Sequence, residues 1–133
     1  MKLVVNRCFG GFGLSHEAVV KYAEYKGVGV TWTANDHGAW KASGYRGDCP
    51  TRPCTEVDLK YGFVNYTLAN GEDFYDRDIP RDDPTLIRVV EELGERADGN
   101  HAELRVVEIP DGIDYGIEEY DGQETVAERH RTW

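Results

Sequence analysis

The sequence lacks several features that would assign it to a common functional class. It has no run of about 18 apolar residues, so no membrane-spanning helix is predicted. Its N-terminus has no apolar stretch of signal-peptide length, which predicts a cytoplasmic protein. It also lacks a basic excess, because 15 basic residues face 25 acidic ones and the net charge is −10. Binding to the phosphate backbone of a nucleic acid is therefore not expected.

Cysteines are few, and their number is odd. Cys8, Cys49 and Cys54 in a chain without a signal peptide indicate reduced thiols. The spacing of Cys49 and Cys54 is at the edge of that in zinc sites, and His101 and His130 lie far apart, so free thiols are favoured over a metal site. No nucleophile–base pair is readable either. We therefore predict no metal site, no cofactor and no catalytic residue.

What the chain does contain is material for one core. Its 133 residues are 40% hydrophobic, which fits a single domain spanning residues 1–133. The element order predicts an α+β fold with an antiparallel or mixed sheet of about five strands, two helices on one face and a C-terminal hairpin. The predicted elements are strand 2–6, a helix from Ser15 to about Lys26, strand 28–33, an irregular insertion at about 35–56, strand 59–68, a helix from Asp83-Pro84 to about Asp98, strand 103–109, and a hairpin of 113–120 and 123–131 around Asp121-Gly122.

The first feature that could bind a ligand is the glycine-rich turn Cys8–Gly13, between the first strand and the first helix. Its glycines would let backbone N–H groups approach an anion near the positive end of the helix. The alternative is a tight turn whose glycines only permit close packing. Arg7, Phe9, Gly10 and Gly11 are the ligand-binding candidates at this turn.

The second feature is the basic C-terminal segment of an otherwise acidic chain. In an extended strand Arg129, Arg131 and Trp133 project from the same face, because side chains alternate. Two guanidinium groups beside an indole could hold a phosphate that carries an aromatic base. Ion pairs with the glutamates of the hairpin are the alternative role of these arginines.

These patterns resemble a known group of proteins. Residues 3–15, with the sequence LVVNRCFGGFGLS, look like the opening of a widespread family of small phage and prophage proteins. The resemblance continues at Asp83-Pro84, 89–94, 106–110, 119–122 and 128–133, and the segment 35–56 departs from it as an insertion. The family is similar in size, element order and phage context to the first-described anti-Thoeris proteins.

The resemblance implies a function. Anti-Thoeris proteins of that family are cytosolic oligomers that bind cyclic ADP-ribose-type immune signals without cleaving them, and some also hold cyclic oligonucleotides. It therefore implies a homo-oligomeric protein that sequesters a small cyclic nucleotide. By their chemistry Arg129 and Arg131 are candidates for phosphate contacts, and Phe9, Tyr115 or Trp133 for stacking on a base. Two alternatives stay open, an acidic DNA mimic that inhibits a host enzyme and a small hydrolase.

Overall fold

A computed structural model describes residues 1–128 of the chain. This part has an α+β architecture. Its strands are β1 Lys2–Asn6, β2 Val30–Asn35, β3 Thr51–Arg52, β4 Asn65–Leu68, β5 Asp73–Phe74, β6 Leu104–Glu108, β7 Tyr115–Tyr120 and β8 Gln123–Glu128. Its α-helices are α1 His16–Lys26, α2 His37–Ala42, α3 Glu56–Tyr61 and α4 Pro84–Leu93, and two short 3-10 turns lie at Asp76–Asp78 and Gly94–Ala97. None of the helices in these 128 residues has the length and apolar composition needed to cross a lipid bilayer.

The core forms around an antiparallel pair of strands. β1 runs against β6, with Lys2 opposite Glu108 and Asn6 opposite Leu104. Four consecutive residues of β1 are buried, as in a strand that is covered on both faces. Helix α4 packs against β1, β6 and α1. We call β1, β6, α1 and α4 the inner region.

Both long helices begin where the sequence predicts. The Ser15 hydroxyl accepts the Ala18 N–H at 3.1 Å, and the Asp83 carboxylate accepts the Thr85 and Leu86 N–H groups at 2.8 and 3.3 Å. Helix α4 ends earlier than predicted, at Leu93 rather than near Asp98. Gly94 follows with a φ of 57°, and the chain tightens into a 3-10 turn.

Residues 28–75 form the outer region. Its four strands make an antiparallel sheet in the order β3-β2-β4-β5. Helix α3 occupies part of the segment 59–68 that was predicted to be a strand, and this prediction is wrong before Asn65. A capping box at Thr55 and Asp58 starts the helix and Gly62, at a φ of 75°, ends it. The first outer strand begins at Val30, two residues later than predicted.

The segment 35–56 was predicted to be an irregular insertion, but parts of it have regular secondary structure. It contains α2 and the short strand β3, which pairs with β2. The Asp36 carboxylate accepts the Ala39 N–H at 3.0 Å and so caps α2. The Trp40 ring meets the Tyr45 ring edge-on, with centroids 5.1 Å apart. The segment therefore adds a short helix and a short strand at one edge of the outer sheet, and no residue of α2 is buried.

The C-terminal hairpin is confirmed as far as residue 128, and its first strand begins at Tyr115 rather than at residue 113. The predicted part 129–131 lies outside the described residues. β7 and β8 pair from Tyr115 opposite Glu128 to Tyr120 opposite Gln123. Asp121 and Gly122 turn between them with φ values of 50° and 89°, the left-handed conformations that a two-residue turn of this kind requires.

The α+β class is confirmed, but residues 1–128 hold eight strands and four α-helices, and this differs from the predicted single sheet of about five strands with two helices. The strands of residues 1–128 form three separate antiparallel sheets, β1-β6, β3-β2-β4-β5 and β7-β8. The edge of β1 that does not face β6 shows why the β1-β6 sheet has no third strand within residues 1–128. Its Val4 N–H donates to the Arg81 carbonyl oxygen at 2.9 Å, and its Asn6 N–H donates to the Glu124 carboxylate at 3.1 Å. A loop and a side chain thus occupy the positions that a third strand would need.

Candidate functional site at the glycine turn

The glycine turn is fixed by one fully buried amide. The Asn6 Nδ2 group donates to the carbonyl oxygens of Cys8 at 2.9 Å and Gly122 at 2.8 Å. Its Oδ1 accepts the N–H groups of Cys8 at 3.2 Å and Glu103 at 2.9 Å. Every hydrogen-bonding position of this amide is therefore used. Asn6 ties the turn, the hairpin and the chain before β6 together at one point.

An ion pair between the partly buried Arg81 and the buried Glu124 lies beside this amide. The Arg81 guanidinium donates to both oxygens of the Glu124 carboxylate, at 3.2 and 3.0 Å, and to the Ile79 carbonyl oxygen at 2.8 Å. It also stacks on the Phe12 ring at 3.6 Å from the ring centroid. This two-pronged geometry holds both side chains in place. The charge of Arg81 is consequently neutralised inside the protein.

The glycines of the turn permit close backbone packing. A Cβ atom on Gly10 would collide with His101, and one on Gly122 would collide with the backbone of Gly11. Gly11 itself has a φ of 95°, a conformation that favours glycine. The packing alternative therefore accounts for these glycines without a ligand.

The turn and the hairpin nevertheless enclose a cleft of about 470 Å³. Gly10 and Gly11 line one side of it. Other side chains present an aromatic ring, guanidinium groups and carboxylates: Phe9, Arg77, Arg81, Glu119, Asp121 and Glu124. Because Arg81 and Glu124 neutralise each other, the charges left to a ligand are one positive and two negative.

The aromatic wall of this cleft is open to solvent. Phe9 is 60% exposed, and its ring meets Tyr120, which is 77% exposed, edge-on at a centroid distance of 6.3 Å. Large rings with that exposure are common where a partner or ligand covers them. Arg77 on the same cleft is also exposed, and its guanidinium forms no hydrogen bond or ion pair with another described residue.

The structure brings only some of the predicted residues together. Phe9, Gly10 and Gly11 lie on one cleft. Arg7 is exposed just before the turn, and its carbonyl oxygen accepts a hydrogen bond from the Gln123 amide at 3.0 Å. Tyr115 pairs at the open end of the hairpin, five residues from Tyr120, which corresponds to about 17 Å along a strand. Arg129, Arg131 and Trp133 lie outside the described residues.

The start of α1 is occupied by a group of the chain itself. The Asp76 carboxylate accepts the Leu14 N–H at 2.8 Å, and the Ser15 hydroxyl accepts a further N–H in the first turn. A negative group near a helix N-terminus is favourable, and here the protein supplies it. An anion bound by the glycine turn would therefore face Arg77 rather than the helix.

Among residues 1–128, the neighbours of the cysteines do not form a set of metal ligands. Cys49 Sγ lies 3.9 Å from His37 Nδ1, and burial raises the pKa of the Cys54 thiol. Across residues 1–128, no three His, Cys, Asp or Glu side chains cluster as they would around a metal ion. All three cysteines are free thiols in this structure.

The cleft must be assessed by its own chemistry. No protein-family model, curated protein or solved structure matches this chain. Four adjacent groups make the cleft a candidate site, namely an exposed ring, a guanidinium without a partner among the described residues, and two carboxylates.

Sequence reasoning missed the residues that build this cleft. An asparagine that ends an apolar strand is a signal for a buried polar hub, and Asn6 has that position. Glu124 follows a tight turn in a strand that packs on the core, so its burial depends on contacts that are distant in sequence. Arg77 and Arg81 carry no local pattern that separates them from other surface arginines.

Proposed function

We propose that the protein binds a small cyclic nucleotide of the cyclic ADP-ribose type in the glycine-turn cleft and sequesters it without cleaving it. The observation that carries this proposal is the meeting of Phe9, Arg77, Glu119 and Asp121 on one cleft of about 470 Å³. A nucleotide has three parts to be recognised, a base, a phosphate and a ribose. The cleft offers a group suited to each of them.

The pairing of groups and ligand parts follows from their chemistry. The exposed face of Phe9 can stack on a base, and the Arg77 guanidinium can donate two parallel hydrogen bonds to a phosphate. The carboxylates of Glu119 and Asp121 can accept hydrogen bonds from ribose hydroxyls, as acidic residues do in other nucleotide sites. These two carboxylates would repel a ligand made only of phosphates. They favour a ligand that carries free sugar hydroxyls.

The biological setting of the proposal rests on the resemblance to the phage family. On that basis the protein acts in the cytoplasm of an infected bacterium, as a homo-oligomer, against an immune signal. A signal held near 10 nM requires about 11 kcal/mol of binding free energy. An open cleft on one chain gives modest burial, so the proposal includes a second copy that covers the ligand.

The alternative of a DNA mimic receives less support from the charge distribution. Within residues 1–128, eight of the 25 acidic residues form ion pairs with neighbouring basic groups, which interleaves positive charge with the carboxylates. These acids are Glu17, Asp58, Asp83, Glu91, Glu92, Glu103, Asp111 and Glu124. A surface that imitates a phosphate backbone needs carboxylates without such partners.

Native mass spectrometry with cyclic ADP-ribose tests the proposal. We expect the wild-type protein to gain the ligand mass and to release intact ligand on denaturation. Arg77→Gln and Phe9→Ala should each weaken binding at least tenfold. Arg46→Gln and Tyr45→Ala are matched controls, because both residues are similarly exposed in the outer region, and they should bind as wild type.

Three outcomes would contradict the proposal. An unchanged protein mass with cyclic ADP-ribose and with cyclic dinucleotides would remove the ligand class. Equal binding by the cleft variants and the wild type would remove the site. Recovery of a cleaved product would replace sequestration with hydrolysis.

A further inference from the structure

A second cleft lies where the inner and outer regions meet. It is enclosed by the N-terminal end of α1, the end of α3, strand β4 and the loop 98–100. Its volume of about 240 Å³ corresponds to about eight water molecules at about 30 Å³ each. This is the room that a single small ring compound needs. It does not include the residues of the glycine-turn cleft.

One wall of this junction cleft is an ordered pair of rings. The Tyr66 hydroxyl and His16 Nδ1 share a hydrogen bond of 3.0 Å, and the two rings stack with centroids 5.9 Å apart. Trp32 meets the His16 ring edge-on at 4.6 Å. The His16 imidazole is thus fixed by contacts with Tyr66 and Trp32, so this wall of the cleft is preorganised for a ligand.

The junction cleft also presents hydrogen-bond acceptors. The Asp76 carboxylate uses one oxygen to accept the Leu14 N–H, and the Asp98 carboxylate uses one to accept the Leu104 N–H at 2.9 Å. The second oxygen of each forms no hydrogen bond with another described residue. Two anchored carboxylates with one open acceptor each would bind N–H or O–H donors of a ligand.

The surroundings disfavour charge on these side chains. Burial lowers the pKa of His16 and raises the pKa values of Tyr66 and Asp98, although the Leu104 N–H partly opposes the change at Asp98. Each change favours the neutral form. Perturbed titratable groups that line one cleft are typical of functional sites. A phosphate would face two carboxylates here, so an anionic ligand does not fit.

We propose that the junction cleft is a separate binding site for an uncharged ring molecule that carries several N–H or O–H donors. A nucleobase and a monosaccharide share this chemistry. Either would stack on the aromatic wall and donate to Asp76 and Asp98. The proposal is independent of the cyclic nucleotide, because it uses other residues and excludes phosphate.

Titrations with guanosine and with D-glucose test this proposal. The primary measurement is the chemical shift of the His16 imidazole nitrogens, with isothermal titration calorimetry for affinity. We expect at least one probe to shift these resonances and to bind. Asp76→Asn and Asp98→Asn keep side-chain shape but can place an NH2 donor where the open acceptor oxygen stood, so each should weaken that binding at least tenfold.

Two control variants separate this site from other effects. Tyr45→Phe and Arg46→Gln change exposed side chains elsewhere in the outer region, so both should bind the probes as wild type. A response to guanosine alone identifies the base as the source of the chemistry, and a response to D-glucose alone identifies the sugar.

If neither probe moves the His16 resonances at millimolar concentration, or if both cleft variants bind as wild type, the proposal is overturned. Circular dichroism confirms that each variant is folded. If Asp98→Asn unfolds, the proposal is tested by whether the probes shift the His16 resonances of the wild-type protein.

Discussion

Strand β1 of the inner region and strand β2 of the outer region have similar lengths, five and six residues, but differ in burial. In β1 the residues from Leu3 to Asn6 are all buried, because α4 and the hairpin cover the strand pair. In the outer sheet β2 has one buried residue, Ala34, and across residues 28–75 the only other one is Asp58. The inner region is stabilised mainly by apolar burial, whereas the outer region gains little from it.

Polar contacts take the place of a core in the outer region. The Arg52 guanidinium contacts both oxygens of Asp58 at 2.6 and 3.1 Å, and Asp58 closes the capping box with Thr55. Asn65 donates to Asn35 across the strands at 2.7 Å. Such contacts contribute less stability each than a buried aliphatic side chain. From this difference we expect the outer region to open more easily than the inner region.

The largest effect is expected where the inner region is joined to the hairpin. Glu124→Ala leaves the partly buried Arg81 guanidinium without its counter-charge and removes the acceptor of the buried Asn6 N–H. We expect a loss of about 3–5 kcal/mol in the free energy of unfolding, measured by urea denaturation. Glu119→Ala, at an exposed position of the same hairpin, should change it by less than about 0.5 kcal/mol. A loss below about 1 kcal/mol for Glu124→Ala would show that this pair does not anchor the hairpin.

A matched pair of truncations tests the comparison directly. Leu86 is fully buried in α4, whereas Phe63 is 66% exposed in the outer region. Leu86→Ala should lower the free energy of unfolding by about 2–5 kcal/mol, because it leaves a cavity in a packed core. Phe63→Ala should change it by about 0.5 kcal/mol or less. Similar losses for both variants would mean that the outer region contributes to stability as strongly as the inner one.

The same difference explains how much of the fold could be read from the sequence. Elements of the inner region carry strong local signals, such as the apolar run of β1, the Ser15 cap and Asp83-Pro84, and these predictions are confirmed. In the outer region the capping box at Thr55 was overlooked, because the apolar and aromatic residues after it resemble a strand. Where burial contributes little, a single cap decides between helix and strand.

The candidate site was harder to predict for a related reason. Some parts of the cleft are local sequence patterns, namely the glycine turn with Phe9 and the Asp-Gly turn of the hairpin. The partners that give the cleft its charges come from distant parts of the chain, Arg77 before α4 and Glu119 on the hairpin. No spacing rule connects them. The same holds for the junction cleft, where His16 meets Tyr66 across 50 residues.

A smaller effect is expected from the cap of α3. Thr55→Ala removes the hydroxyl that accepts the Asp58 N–H at 3.3 Å, and we expect a loss of about 1 kcal/mol that is confined to the outer region. Amide hydrogen exchange should therefore accelerate by about fivefold in residues 56–61 and stay unchanged in the inner region. Ser15→Ala is the matched control, because it removes the cap of α1. It should accelerate exchange in α1. Equal acceleration everywhere after Thr55→Ala would show that the two regions open as one unit.

The smallest expected effect is a pH dependence of the stability of α3. The Arg52 guanidinium, followed by the Thr55 N–H, holds the pKa of Asp58 well below its usual range. Because the folded state lowers this pKa, the unfolded state binds the proton more readily. The stabilisation is complete above the ordinary carboxyl pKa of about 4 and is lost as the pH falls below it.

We therefore expect α3 to open more readily as the pH falls below about 4, while amides of β1 stay protected. Hydrogen exchange of residues 56–61 across this range measures the change. Asp58→Asn should open more readily at neutral pH and lose most of this acid dependence, since it has no proton to gain. An undiminished acid dependence in Asp58→Asn would assign the effect to other carboxylates, and the outer region would then owe its acid response to its overall charge rather than to one cap.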